Sequence, residues 1–190
     1  MLCDRRSTTA VRHFVRSAAA TAQLLAAGQL TQPTTHLARP LDFADGTTSY
    51  VFRETVVDGV ATPDPAVLVV RFRLRVVDDT PWLHAAFRRE CVLHTPLFAG
   101  FPGFRSKLWL TDAQTGVYRG LYEWNGADLA ADYAETLARL LRLVCVRGSV
   151  RHHVVAGVRR DALLRDPILV TNAPEWARVI PPGPVASRSA

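Results

Sequence analysis

Two histidines stand side by side at His152 and His153, inside the alternating run Val150–Val155. Histidine ionises nearest neutral pH of all the common side chains, so it is the first residue to consider for proton transfer. A third, His94, falls on one stripe with Leu83, Phe87 and Cys91. Upstream of the histidine pair, Trp109, Tyr118, Tyr122 and Trp124 supply rings that could wall a cavity. Arg71 and Arg73 alternate with apolar residues along Ala66–Val76, and Arg75 continues the series. A guanidinium matches carboxylate or phosphate oxygens in bidentate fashion, so such a strand face can act as an anion-binding wall. Each group also has a plainer reading. His94 can be a core histidine with a partner, the rings can simply fill a small barrel, and the arginines can be solvated or paired across a dimer.

Neighbours on a strand point to opposite faces, so His152 and His153 cannot both enter one cavity. His152 keeps company with Val150 and Val154, which places it in the core and predicts that it lines the main pocket. His153 lies beside Arg151 and belongs to the other face.

Several chemistries have no signal here. The chain has no glycine-rich phosphate loop, no zinc-ligand spacing and no haem attachment motif, so neither a cofactor nor a metal is expected. Cys3, Cys91 and Cys145 form no redox or metal pattern, which suggests a reducing, cytoplasmic setting. No run of about 18 apolar residues occurs, so no membrane span or membrane partner is expected. The net charge is +6, carried almost wholly by arginine, with Lys107 the only lysine. No nucleic-acid motif accompanies those arginines, so no nucleic-acid partner is expected.

The elements that must position these residues can be read in order. At 190 residues the chain predicts one domain with extensions. Residues 1–40 read as a flexible or loosely helical N-terminal extension, with Val11–Leu30 as its Ala-rich helical part. Leu41–Gly59 reads as an added strand, rich in residues that fit a pleated surface. Ala66–Val76 is the strongest strand, with Leu68, Val70, Phe72 and Leu74 on one face and Val69, Arg71 and Arg73 on the other. Thr80-Pro81 opens a helix that ends near Pro96. Ser106–Thr111 and Val117–Trp124 alternate as strands around a polar hairpin loop ending at Gly116. Asn125 stands at the N-cap position of a helix whose stripe is Leu129, Tyr133, Leu137, Leu140 and Val144. Val150–Val155 closes the series as a strand. A short helix at Val158–Leu164 follows, and residues 166–190 read as an extended tail with Trp176 as an anchor.

The order from Ala66 to Val155 is β-α-β-β-α-β, the ferredoxin-like arrangement of an α+β fold. Residues 41–165 make up this domain. Its helices cover one sheet face only, so the other must be solvated or covered. A second copy of the same sheet would cover it, which predicts a homodimer enclosing a shared α+β barrel.

At this point the residues carry a resemblance. Pro102-Gly103-Phe104, then Lys107 and Trp109, then Gly120-Leu121-Tyr122 with Trp124, then Ala131, Tyr133 and Ala138-Arg139-Leu140, are similar to the YdhR-like mono-oxygenase family of the dimeric α+β barrel superfamily. The resemblance spans Ala66 to Val155 and carries no catalytic residue across. It implies an enzyme of secondary metabolism that acts, without a cofactor, on an aromatic or polyketide-like small molecule, where the deprotonated substrate itself reduces oxygen. Such a site needs a base, an apolar cavity and a donor for the developing oxyanion. His152 or His153 would be the base, with His94 next. Trp109, Tyr118, Tyr122 and Trp124 would form the cavity, and Tyr hydroxyls, indole N–H groups or Arg71 and Arg73 would steady the anion. The fold equally admits a non-redox cyclase or isomerase, or a ligand-binding protein without catalysis.

Overall fold

A hairpin of two alternating strands forms the middle of the sheet. In the computed structural model, which describes residues 16–75 and 98–181, strands β1 (Leu30–Thr31), β2 (Pro40–Phe43), β3 (Thr48–Val57), β4 (Pro65–Arg73), β5 (Phe104–Asp112), β6 (Val117–Asn125), β7 (Arg151–Ala156) and β8 (Val179–Ile180) make one sheet. Its order is β7-β4-β6-β5-β3-β2-β8, with β1 pairing β3 off this path. The pairs are antiparallel. The four strands β7-β4-β6-β5 reproduce the ferredoxin-like order, so the α+β class and sheet topology are as the sequence implies. The predicted helix over 80–97, with His94 on it, lies outside the described residues.

Helix α1 covers residues 16–26, α2 runs Ala127–Val144 and α3 runs Arg160–Arg165. A single turn of 3-10 helix follows at Pro167–Val170. The cap of α2 is one residue later than the sequence suggests. Gly126 takes the cap position with φ 110, a conformation that glycine adopts freely. Asn125 stays in β6, where its Oδ1 accepts the Asp64 backbone N–H at 3.0 Å. The buried stripe of α2 is Ala130, Tyr133, Ala134, Leu137 and Ala138. Leu129 and Val144, expected on that stripe, are exposed instead. Ala130, Ala134 and Ala138 put small side chains against the sheet beside Tyr133 and Leu137.

Each face of the sheet has its own core. The helix side gathers Leu68, Val70, Phe98, Phe104, Trp109, Tyr122, Trp124 and Tyr133. The opposite side gathers Leu41, Phe43, Val51, Val67, Val69, Leu108, Leu110 and Leu121. Part of that second side is covered by the chain itself. Leu163, Leu164, Ala173, Ala177 and Val179 pack into the same core, with Trp176 against it. The chain's own residues from α3 to β8 therefore lie over the face on which a homodimer is expected, and a dimer through that face would have to displace them.

The N-terminal segment is also less loose than its composition suggests. Leu24 and Leu30 pack on the helix-side core, and Ser17 and Thr21 are buried. A Cβ at Gly100 would lie 1.9 Å from the Ser17 carbonyl oxygen, so α1 docks where only a glycine permits.

Candidate active site

The helix-side core contains a charge. Lys107 is 5% exposed, and its Nζ lies 3.0 Å from the centroid of the Trp109 ring. It is also 4.6 Å from the Phe98 centroid and 4.7 Å from that of Tyr122. Ring faces are electron-rich, so they attract an ammonium and offset part of its lost hydration.

Strand register builds this arrangement. Lys107 on β5 pairs with Tyr122 on β6, and Trp109 pairs with Gly120. All four stand on the helix side. A Cβ on Gly120 would meet the Tyr122 ring at 2.5 Å, so the missing side chain gives Tyr122 room to lie across the strand toward Lys107. From β3, Thr55 pairs with Lys107, and its Oγ1 accepts the Trp109 indole N–H at 3.4 Å. A bulge between Val51 and Arg53 sets Arg53 opposite Trp109, with its guanidinium carbon 5.7 Å from the Trp109 ring centroid.

From α2, Tyr133 reaches the same place. Its ring centroid is 5.7 Å from that of Tyr122 and 4.9 Å from that of Trp124. Burial first, then the charge of Tyr122 and a hydrogen bond with it, push the Tyr133 hydroxyl well above its ordinary pKa. It therefore stays protonated at neutral pH.

These side chains border a cavity of about 320 Å3, lined by Lys107, Trp109, Tyr122, Tyr133 and Phe98, with Phe72, Leu74 and leucines of α2 completing it. The volume is at the small end of ligand pockets, and an apolar wall with a few polar groups is their usual make-up. A larger hollow of about 680 Å3 lies at the far end of α2, beside Arg75, Arg142 and Arg147. There Arg75 donates to the carbonyls of Leu143 and Cys145 at 2.8 and 3.2 Å. It thus satisfies the end of α2, a structural task. The smaller cavity is where an ammonium, hydroxyls and rings converge, and we place the candidate site there.

The residues singled out in the sequence are divided by this geometry. Trp109 and Tyr122 line the cavity. Tyr118 and Trp124 share their face but pack beside it, Tyr118 stacked on Phe72 at 5.7 Å and Trp124 edge-on to Phe104 at 5.7 Å. Arg71 and Arg73 stand on the opposite face, so they cannot reach the same cavity. Their alternation with Phe72 already implies this.

His152 is on the helix side, as its alternation with His153 predicts, but not among the cavity's lining residues. The reason is its strand. β7 is the sheet's edge, and there His152 is 28% exposed, with Nε2 3.5 Å from a Glu135 carboxylate oxygen. His153 points to the other face, where burial first and His152 second lower its pKa. Lys107 is the residue that chemical typing passed over. Its signal was present: the chain's single lysine, in phase with Trp109 on a strand. Among the described residues no group of three or more His, Cys, Asp or Glu could hold a metal ion.

No protein-family model matches the sequence, and no curated protein matches it. Solved structures similar to the chain include a ferredoxin-fold protein related to antibiotic biosynthesis mono-oxygenases from Listeria monocytogenes, 16% identical over 58% of this chain and 64% of that one, with a TM-score of 0.40. The chain thus spans less than two thirds of that protein's length. Others are the haem-degrading enzyme LmHde from Listeria monocytogenes, 14% identical over 66% of this chain and 95% of that one with a TM-score of 0.40, and SnoaB, a cofactor-independent oxygenase from Streptomyces nogalater, 20% identical over 50% and 95% with a TM-score of 0.35. No helix among the described residues is long and apolar enough to cross a membrane.

Proposed function

We propose that the chain is a cofactor-independent mono-oxygenase of secondary metabolism, acting on an acidic hydroxyaromatic or polyketide-like small molecule held beside Lys107. One observation carries this reading: a buried ammonium, 3.0 Å from the Trp109 ring centroid, borders a cavity whose described lining is otherwise aromatic and aliphatic side chains. An enolate or phenolate oxygen would be held by that charge, and the rest of the ring system by Trp109, Tyr122 and Phe98. Stabilising the substrate anion where water is excluded is the main task of such a site.

The balance of the reaction is simple. The substrate methylene loses a proton and the carbanion adds to oxygen, forming a C–O bond and, after protonation, a hydroperoxide. Loss of a second proton from that carbon breaks the O–O bond and releases water, leaving a ketone. Oxygen takes all the electrons, and the protein supplies only charge and proton transfer. Tyr133, held protonated by its burial, would offer a hydrogen bond to the developing peroxide or oxyanion. His152 and His94 keep their place as candidate bases, His152 through a water or on substrate entry, because it does not line the cavity itself.

The same Tyr133 hydroxyl favours a second reading, a non-redox cyclase or isomerase that needs an anion site and one proton donor. Oxygen uptake separates the two. An oxygen electrode should show uptake, with equimolar ketone formed, when the protein is given an acidic hydroxyaromatic methylene compound, and Lys107→Met should abolish it. Product formed with no oxygen consumed would select the isomerase reading, and binding without turnover would select a ligand-binding protein.

A further inference from the structure

Register sets three arginines in one row across three neighbouring strands. On the face away from the cavity, Arg71 of β4 lies directly opposite Arg151 of β7 and Arg119 of β6. Like charges in directly opposed positions destabilise a sheet, so the row needs negative charge from somewhere. Arg119 has it. Its guanidinium bonds Asp45 at 2.9 Å, Ser49 at 2.8 Å and the Trp176 carbonyl at 3.3 Å.

Arg71 and Arg151 are served differently. Neither forms an ion pair within the described chain, and the buried Nε of Arg71 has no hydrogen-bond partner. A buried donor left without a partner is costly, which makes an absent acceptor the economical explanation. The row also opens outward: Arg119 is buried, Arg71 half-buried and Arg151 exposed. On the same face, His153 stands opposite Val69 on one side of the row and Arg73 opposite Val117 on the other. Burial lowers the pKa of Arg71, and Arg151 and Arg73 add to this, against the attraction of Asp45 and Asp112. Asp45 is already engaged by Arg119.

We infer that Arg71 and Arg151 form a binding site for a small oxyanion, a phosphate or carboxylate group, on the opposite side of the sheet from the Lys107 cavity. Guanidinium forks on adjacent strands suit two oxygens of one such group. Arg71 supplies the half-desolvated contact and Arg151 the mouth. The site is separate from the cavity and does not depend on the oxygenase reading.

The test uses the full chain at fixed ionic strength, titrated calorimetrically with inorganic phosphate and, in a second arm, with succinate. Fixed ionic strength removes general screening from the comparison. Saturable binding in at least one arm is expected, and the stronger arm identifies the ligand chemistry. Arg71→Gln and Arg151→Gln should each weaken it by at least about tenfold, whereas Lys107→Met should leave it unchanged. Arg151 is exposed, so its variant keeps the fold even if Arg71→Gln does not. No saturable binding of either anion, or equal binding by the native chain and Arg151→Gln, would overturn the proposal.

Discussion

On one face of the sheet Lys107 stands among aromatic rings beside a cavity; on the other, Arg119 and Arg160 are each fastened to a carboxylate under the chain's own cover. Both faces belong to the same strands and both bury cations. Arg160 Nη2 meets Glu54 at 2.7 Å, and Glu54, 2% exposed, also holds His36 Nδ1 at 2.8 Å. Arg119 bonds Asp45 and lies 4.1 Å from the Phe43 ring centroid. These pairs tie α3 and the segment around Trp176 to the sheet. Among the described residues, ring faces of Phe98, Trp109 and Tyr122 lie around Lys107, and it borders a cavity. A cation matched by a fixed carboxylate serves structure, and a cation bordering a cavity can serve a ligand. Telling the two apart takes the surroundings of the charge, not its burial.

The largest effect should come from the fastened face. Glu54→Ala removes the buried carboxylate that holds both Arg160 and His36, leaving Arg160, among the described residues, only its pair with the exposed Asp161, and should cost about 3 kcal/mol in chemical denaturation. It should also detach the segment from α3 to β8, seen as faster amide exchange there. If stability barely changes, the cover is not held by this pair, and the contrast between the faces fails on that side.

On the cavity face, Gly120→Ala should cost about 1–3 kcal/mol, because the new methyl meets the Tyr122 ring and overpacks the wall. Gly120 does not have a positive φ, so this cost is one of packing, whereas Gly157→Ala, at φ 75 with open space around it, reports backbone strain without a clash in a parallel thermal melt. Gly120→Ala should also shrink the cavity and weaken ligand binding, which Gly157→Ala should not do.

The Tyr133 hydroxyl sharpens the comparison through pH. Its folded pKa lies well above its ordinary value of 10.0, so the folded state holds a proton that the unfolded state gives up. Its contribution is fully present below pH about 10 and is lost as pH rises above it. Tyr133→Phe should flatten that alkaline decline, at a cost near neutral pH of about 1 kcal/mol for the hydrogen bond with Tyr122. Denaturation followed at rising pH checks both.

Much of this was legible in the sequence. Alternation located β4 to β7, and it put Tyr118, Tyr122 and Trp124 on one face with Gly120. The same parity separates Arg71 and Arg73 from Phe72, and so from the cavity, although arginines and rings were first grouped by chemical type. The cover was not legible. Ala173, Ala177 and Val179 are buried by where the chain runs, and residues 166–180 have no period to show it. The docking of α1 was hidden too, since the glycine that admits it, Gly100, is distant in sequence. Burial of Lys107 could be read only once Trp109 and Tyr122 were known to face a core.

The smallest effect concerns the edge. His152 pairs loosely with the exposed Glu135, so His152→Ala should change stability by no more than about 0.5 kcal/mol. If His152 is the base, acting through a water, His152→Ala should lower turnover far more than His153→Ala. Similar turnover of the two variants would remove His152 from the candidate bases.

The charge at Lys107 can be observed directly through a coloured ligand. A nitronaphthol absorbs differently as phenol and phenolate, and it can be mixed with the protein at the pH where half of it is ionised in water. Bound beside Lys107 it should show the phenolate spectrum, its pKa lowered by the ammonium, and with Lys107→Met it should show the phenol spectrum. Identical spectra for the two bound complexes would contradict the account, because the cavity would then hold its ligand without using the Lys107 charge.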